Sequence, residues 1–287
     1  MLPIILAHGY LGFGELGPFS YFNHVAALLA QAGITNVHAT AVDPKGSINE
    51  RATALAKQIR GLVPAGKVHV IAHSMGGLDV RYLVAHANGA DMIRTITMLG
   101  SPFGGTLAAD IAVDPRNILQ VDAGRLLATV TEFAAQSVLR WPFQTLTDGH
   151  FALQQLQNAI SGVRQGDYSG ISVYFSRLFT LQDAALRELT TASCRQMFPT
   201  DCSDLGGIPC YSYAGVLDPA KVTPLLTVPA LVLQAAGQSN DGIVPLVSAR
   251  LPNHMGTFPT DHFGLVGWSP GDISGCYRQI CQTLAGF

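Results

Sequence analysis

Positions 68–77 read VHVIAHSMGG. An apolar run, Val68 to Ala72, leads into a hydroxyl at Ser74, and glycines follow at once at 76 and 77. From Gly77 the pattern GLDVRYLVAHANG (77–89) reads as a helix. Strand, sharp turn and helix in that order form a small-x-Ser-x-Gly elbow, whose turn is too tight for large side chains on either side of the serine. Ala72 occupies the first small position and Gly76 the second. Such a turn lifts Ser74 Oγ above the carboxyl edge of a sheet, beside a helix N-terminus that favours developing negative charge. The plainer alternative is that Ser74 only caps the helix that follows.

Outward from the elbow, short β-rich runs alternate with helical patterns. The runs are PIILA (3–7), NVHATAV (36–42), KVHVIA (67–72), IRTITML (93–99) and PALVLQAA (229–236). Helical stretches lie at 22–33, 48–62 and 77–89, and 274–285 reads as a closing helix. Runs apolar on both faces, separated by helices, predict an α/β, doubly wound, mostly parallel sheet covered on both sides. Between 105 and 192 the alternation gives way to helical pattern, which predicts a cap or lid over the crevice at the carboxyl ends of the strands. The whole of 1–287 then reads as a single domain with that insertion.

Hydrophobic residues make up 48% of the chain and charged residues 13%, against roughly 25% charged in ordinary soluble domains. A net charge of −2 without a Lys/Arg cluster argues against a nucleic-acid partner. The most apolar segment, 224–237, is broken by Pro229 and is too short for a transmembrane anchor. Met1-Leu2-Pro3 shows neither a basic n-region nor a cleavage site, so the expectation is a secreted chain whose signal peptide has been removed, with an intracellular one as the alternative. Five cysteines, 194, 202, 210, 276 and 281, leave two readings open: free thiols, or one bridge within the first three or from them to Cys276.

A serine hydroxyl needs a base, an acid to orient the base, and an oxyanion hole. On this architecture the chain order is serine, acid, histidine. Asp241, in QSNDGIVP just past the 229–236 run, is the candidate acid, although Asn-Asp-Gly is also a strong turn signal. Two histidines follow it. His262, in a loop before the last helix, is the candidate base; His254, read as a surface loop residue, is the runner-up. The oxyanion donors expected are the N–H of Met75 and that of Tyr10, which follows the first strand in HGYLGFG (8–14). His8 there is expected to brace the loop.

Together these pieces resemble the true bacterial lipases of the α/β-hydrolase superfamily. The motifs are H-G-x-x-G-F at 8–13, A-H-S-M-G-G at 72–77, G-S-P-F-G-G-T at 100–106, N-D-G-I-V at 240–244 and D-H at 261–262. The resemblance implies Ser74 as nucleophile, Asp241 as acid, His262 as base, and Tyr10 and Met75 as the oxyanion hole. It departs from the family at Phe103, where His is usual. It also implies a structural Ca²⁺ held by two aspartates, one in a V-L-D-P segment that Val216 to Pro219 resembles, the other two residues after the histidine. Gly264 stands at that second position. Asp218 is left as a weak metal candidate and Asp261 is expected to point away from it, so neither metal nor other cofactor is expected.

The activity implied is hydrolysis of acylglycerol esters through an acyl-enzyme. In the predicted lid, Val130, Phe133, Ala134, Ser137, Val138 and Trp141 fall on one helical stripe. Phe133, Val138 and Trp141 are the candidate contacts with lipid or a lipid–water interface; packing on the core is the alternative. Rival functions are an esterase for short or synthetic polyester substrates, an acyltransferase, and a non-catalytic binding protein on the same scaffold. A folding chaperone, which some relatives need, is left open. A dehalogenase would want Asp in place of Ser74.

Overall fold

The computed structural model describes residues 2–12, 14–16, 19–140, 158, 161–163, 165–175, 179, 183–269 and 271–287. Its frame is a six-stranded parallel sheet. The strands are β1 (Ile4–Ala7), β4 (Val37–Ala39), β5 (Val68–His73), β6 (Ile93–Leu99), β7 (Cys210–Gly215) and β8 (His254–Phe258), in spatial order β4-β1-β5-β6-β7-β8. A two-residue ladder, β2 (Glu15–Leu16) with β3 (Phe19–Ser20), lies between β1 and the first helix.

Alternation along β1 separates the two faces of the core. Ile5 and Ala7 pack with α2 (Ile48–Leu62) and α3 (Met75–His86), whereas Ile4 and Leu6 pack with α1 (Val25–Gln31) and α11 (Ser274–Leu284). This is what a period of two does to a strand buried on both sides. The chain steps from β1 outward to β4, then back across to β5. The strand order therefore reverses between β1 and β5, and in open α/β sheets that is where the ligand crevice lies.

Three elements differ from the sequence expectation. PALVLQAA is not a strand but most of α9 (Thr227–Ala235). Every residue from Val228 to Leu233 is buried, and a helix buried on all sides shows no apolar stripe, so periodicity does not separate it from a core strand. Pro229 is accommodated in the first turn, where its missing N–H is not needed. Gly237, at φ 78, follows the helix end and donates to Gln234 O. The strand beside β6 is instead CYSYAG, β7, in a stretch that reads as a cysteine-bearing loop. The edge strand β8, HMGTF, is half-exposed and carries too few apolar residues to signal itself.

Among the described residues between β6 and β7 the regular elements are helical: α4 (Leu107–Val113), α5 (Ala123–Arg140), α6 (Ser169–Phe175), α7 (Ala184–Glu188) and α8 (Thr191–Met197), with a 3₁₀ turn at Pro115–Gln120. A last short helix, α10 (Leu246–Ala249), precedes β8. In α5, Val130 is fully buried and Phe133 half-buried against the same core. Trp141 and the side chain of Val138 lie outside the described residues. All five cysteines are free thiols.

Candidate active site

β5 ends at His73, and Ser74 follows with φ 55 and ψ −130, a conformation a side chain rarely adopts. Its neighbours hold it there: Ser74 N–H donates to Leu99 O at the end of β6 (2.8 Å), and Gly77 N–H donates to Ser74 O (3.0 Å). The Ser74 side chain makes no cap to α3. Met75 opens that helix, so its N–H is one of those an α-helix leaves without an intrahelical acceptor.

The loop after β1 lies directly on the serine. A methyl group on Gly9 would come within 2.6 Å of Ser74 Cβ, so only glycine permits the approach. Tyr10 follows, its hydroxyl donating to Asp183 Oδ2 (2.8 Å) and its ring packed on Phe179 (5.8 Å between centroids). His8 is buried, and that burial brings its pKa down to about 4. As a neutral ring it donates from Nδ1 to Gly9 O (2.8 Å) and accepts at Nε2 from Val42 N–H (3.1 Å). Beneath it the fully buried Arg51 donates to His8 O (2.9 Å) and to both oxygens of Asp79, the nearest at 2.7 Å.

Asp241 and His262 meet at the same edge of the sheet. His262 Nδ1 lies 2.7 Å from Asp241 Oδ2, and both side chains are almost fully buried. Asp241 Oδ1 accepts from Val244 N–H (2.7 Å) and Ile243 N–H (3.1 Å), so the carboxylate is fixed at both oxygens. His262 N–H donates to Asp241 O (2.8 Å). Gly100, the first residue of the G-S-P-F-G-G-T segment, forms the floor. Its φ is +56, and a methyl there would stand 3.1 Å from Asp241 Oδ2 and 3.3 Å from His262 Nδ1. The His73 ring packs beside His262, with ring centroids 4.5 Å apart. No hydrogen bond joins Ser74 Oγ to His262; hydrogen bonds between such groups often tighten only when substrate binds.

Asp241 thus reaches the carboxyl edge by another route than expected. It follows a helix, and it is held against Gly215 at the end of β7, where a methyl on Gly215 would approach Asp241 Cβ to 3.1 Å. His254 is not in a loop. It begins β8 at the opposite edge, bonded through Nδ1 to Ser212 Oγ (3.1 Å) and through Nε2 to Thr257 Oγ1 (2.9 Å).

The fold has counterparts among solved structures. The mature lipase BlEst2 of Bacillus licheniformis superposes with a TM-score of 0.64 over 98% of this chain and 91% of that one, at 16% identity. The chain has the α/β-hydrolase fold. In sequence it is 33% identical over 156 residues to the triacylglycerol lipase of Pseudomonas fragi, covering 53% of this chain and 50% of that protein. It is 31% identical over 112 residues to the triacylglycerol lipase of Vibrio cholerae, covering 38% and 35%. The matched segments span half or less of the length of these curated relatives. No family model matches.

Within this fold, several residues around the site carry no motif. Arg51 leaves a trace in the sequence: it falls on the apolar face of α2 with Ile48, Ala52, Leu55 and Ile59, where a charge needs a buried partner. Asp79 is that partner. Tyr21 and Thr223 leave none, because their roles depend on loops that meet only in space.

The calcium set fits poorly. Asp218 is exposed and its Oδ1 closes a turn by accepting from Ala220 N–H (2.8 Å). Asp261, contrary to expectation, turns toward the loop that carries Asp218, but its carboxylate is occupied. Oδ2 accepts from Thr223 N–H (2.7 Å) and Thr223 Oγ1–H (2.8 Å), and Oδ1 accepts from Gly264 N–H (2.8 Å). At Gly264 no carboxylate has room, since even a Cβ would fall against Thr260 Oγ1.

Proposed function

We propose that the chain is a serine carboxylic-ester hydrolase of the lipase type, cleaving acylglycerol esters through an acyl-enzyme on Ser74. The observation that carries this reading is the buried Asp241–His262 pair standing at the same sheet edge as a serine held at φ 55. Ser74 Oγ attacks the ester carbonyl as His262 Nε2 takes its proton. Asp241 keeps the imidazole proton on Nδ1 and stabilises the imidazolium. The N–H groups of Met75 and Tyr10 receive the oxyanion, a contribution of about 3 kcal/mol per donor. The alcohol leaves with the proton from His262, and water, deprotonated by the same ring, releases the acid.

The triacylglycerol substrates named for the sequence relatives support the lipid part of this reading. The apolar stripe in the sequence of 130–141 is the ground for proposing a lid over the acyl site, spanning roughly 105–192 and touching a lipid–water interface through Phe133, Val138 and Trp141. No helix among the described residues is long and apolar enough to cross a membrane. The chemistry is assigned to the chain's own residues.

A panel of p-nitrophenyl esters and triglyceride emulsions tests the reading. Hydrolysis of both, lost by about a thousandfold or more in Ser74→Ala with the fold intact, supports it. Hydrolysis of short esters alone would make the protein an esterase, and undiminished turnover by Ser74→Ala would overturn the assignment of the nucleophile.

A further inference from the structure

Gly9 N–H lies 3.3 Å from Tyr21 Oη, Tyr21 Oη lies 2.7 Å from His73 Nδ1, and His73 Nε2 lies 3.0 Å from His262 O. This chain of contacts runs from the loop that bears the oxyanion donor Tyr10, beneath the nucleophile, to the backbone of the base. Its direction follows from its ends. A carbonyl oxygen only accepts, so His73 carries its proton on Nε2 and gives it to His262 O. Burial, aided by the neighbouring His262 ring, holds the His73 pKa well below the usual histidine value, so the ring is neutral and Nδ1 is an acceptor. Tyr21 must then donate to Nδ1; burial raises its phenol pKa, so the proton is there to give. The remaining lone pairs of Tyr21 Oη face Gly9 N–H.

Other bonds fasten the same segment to the base loop. Trp268 Nε1–H donates to Tyr21 O (2.7 Å), and Asn23 Nδ2–H donates to Gly267 O (2.8 Å). Residues 21–23 are therefore tied to both loops whose relative placement decides whether an oxyanion and a protonated base are met together. His73 sits one residue before Ser74, so the nucleophile's own strand end is part of the same unit.

We infer that Tyr21 and His73 are positioning residues for ester hydrolysis, setting the oxyanion loop and the His262 loop in register through one directed hydrogen-bond relay. This rests on the hydrolase reading above. A relay that sets geometry acts in the transition state, so its loss falls on kcat rather than on KM.

The test is steady-state kinetics on a soluble p-nitrophenyl ester, with melting temperatures. Tyr21→Phe keeps the ring and removes the hydroxyl; kcat should fall about tenfold with KM within about twofold and little change in melting temperature. His73→Gln, whose amide can both donate to His262 O and accept from Tyr21, should recover most of the activity that His73→Leu loses. Tyr21→Phe combined with His73→Leu should be no slower than His73→Leu alone. Wild-type kcat in Tyr21→Phe, or additive losses in the double variant, would overturn the relay. Ring ¹⁵N NMR separates its failure from that of the hydrolase reading, because it needs no turnover. At neutral pH His73 should be protonated on Nε2 alone, and its Nδ1 resonance should move in Tyr21→Phe. A proton on Nδ1, or no movement, would overturn the relay even in an active enzyme. An inactive wild type with the expected spectrum would instead remove only its catalytic purpose.

Discussion

The two edges of the sheet carry the same residue types to different ends. At the amino edge His69 bonds Thr95 and His254 bonds Ser212 and Thr257. At the carboxyl edge His8, His73 and His262 bond backbone carbonyls, a tyrosine and a carboxylate around Ser74. Histidine alone therefore marks nothing. What distinguishes the carboxyl edge is a carboxylate on the imidazole, a non-glycine residue held at positive φ at Ser74, and hydrogen bonds that link loops far apart in the chain.

The sharpest way to break that comparison is to remove one histidine from each edge. His262→Ala should lower kcat by at least about a thousandfold. His254→Ala should leave it within about twofold, because its bonds are to hydroxyls at the far edge. Comparable losses in both variants would erase the distinction.

A smaller effect is expected where the base loop is fastened. Asp261→Asn sets an amide donor against N–H and O–H donors of Thr223 and Gly264, which costs about 1–3 kcal/mol. The melting temperature should fall by several degrees and kcat by about tenfold, with KM little changed. EDTA should do neither. A large drop in melting temperature with EDTA, restored by Ca²⁺, would mean that an ion and not the Thr223–Asp261 contact holds this loop.

The edges should also differ in how they respond to acid. His8, at about 4, and His73, well below its ordinary value, are neutral in the fold and charge readily once unfolded, near pH 6.5. The unfolded chain then binds more protons, so this stability is complete above about pH 6.5 and is lost as pH falls toward 4. For His8 the loss is on the order of 3 kcal/mol. His254, half-exposed, and His69, buried, are shifted in the same direction. Denaturation at a series of pH values should show the decline beginning near 6.5, and should show it weakened in His8→Gln. A flat profile from pH 7 to 4.5 would contradict the neutral, buried state of these rings.

How much of this the sequence discloses depends on the range of the interaction. The Ser74 elbow is legible because strand, turn and helix are contiguous and the small residues are required locally. The pairing of Asp241 with His262 is legible only through chain order and motif. Asp241 is expected after a strand that is in fact α9, since the apolar run from Val228 to Leu233 fits either state once it is buried. β7 and β8 escape because Cys, Ser, Gly and His give no alternating apolar signal. The Tyr21–His73 contacts and the Asp261–Thr223 contact escape for another reason: each joins segments 38 to 189 residues apart, and nothing in either segment names its partner.

Labelling by a serine-reactive alkyl phosphonate tests the central claim most directly, because it asks which serine is nucleophilic without presuming a substrate. Peptide mass analysis should find one adduct, on Ser74, formed at a rate that collapses in His262→Ala and is unchanged in His254→Ala. An intact protein that takes up no label, or an adduct that persists in Ser74→Ala, would contradict the account.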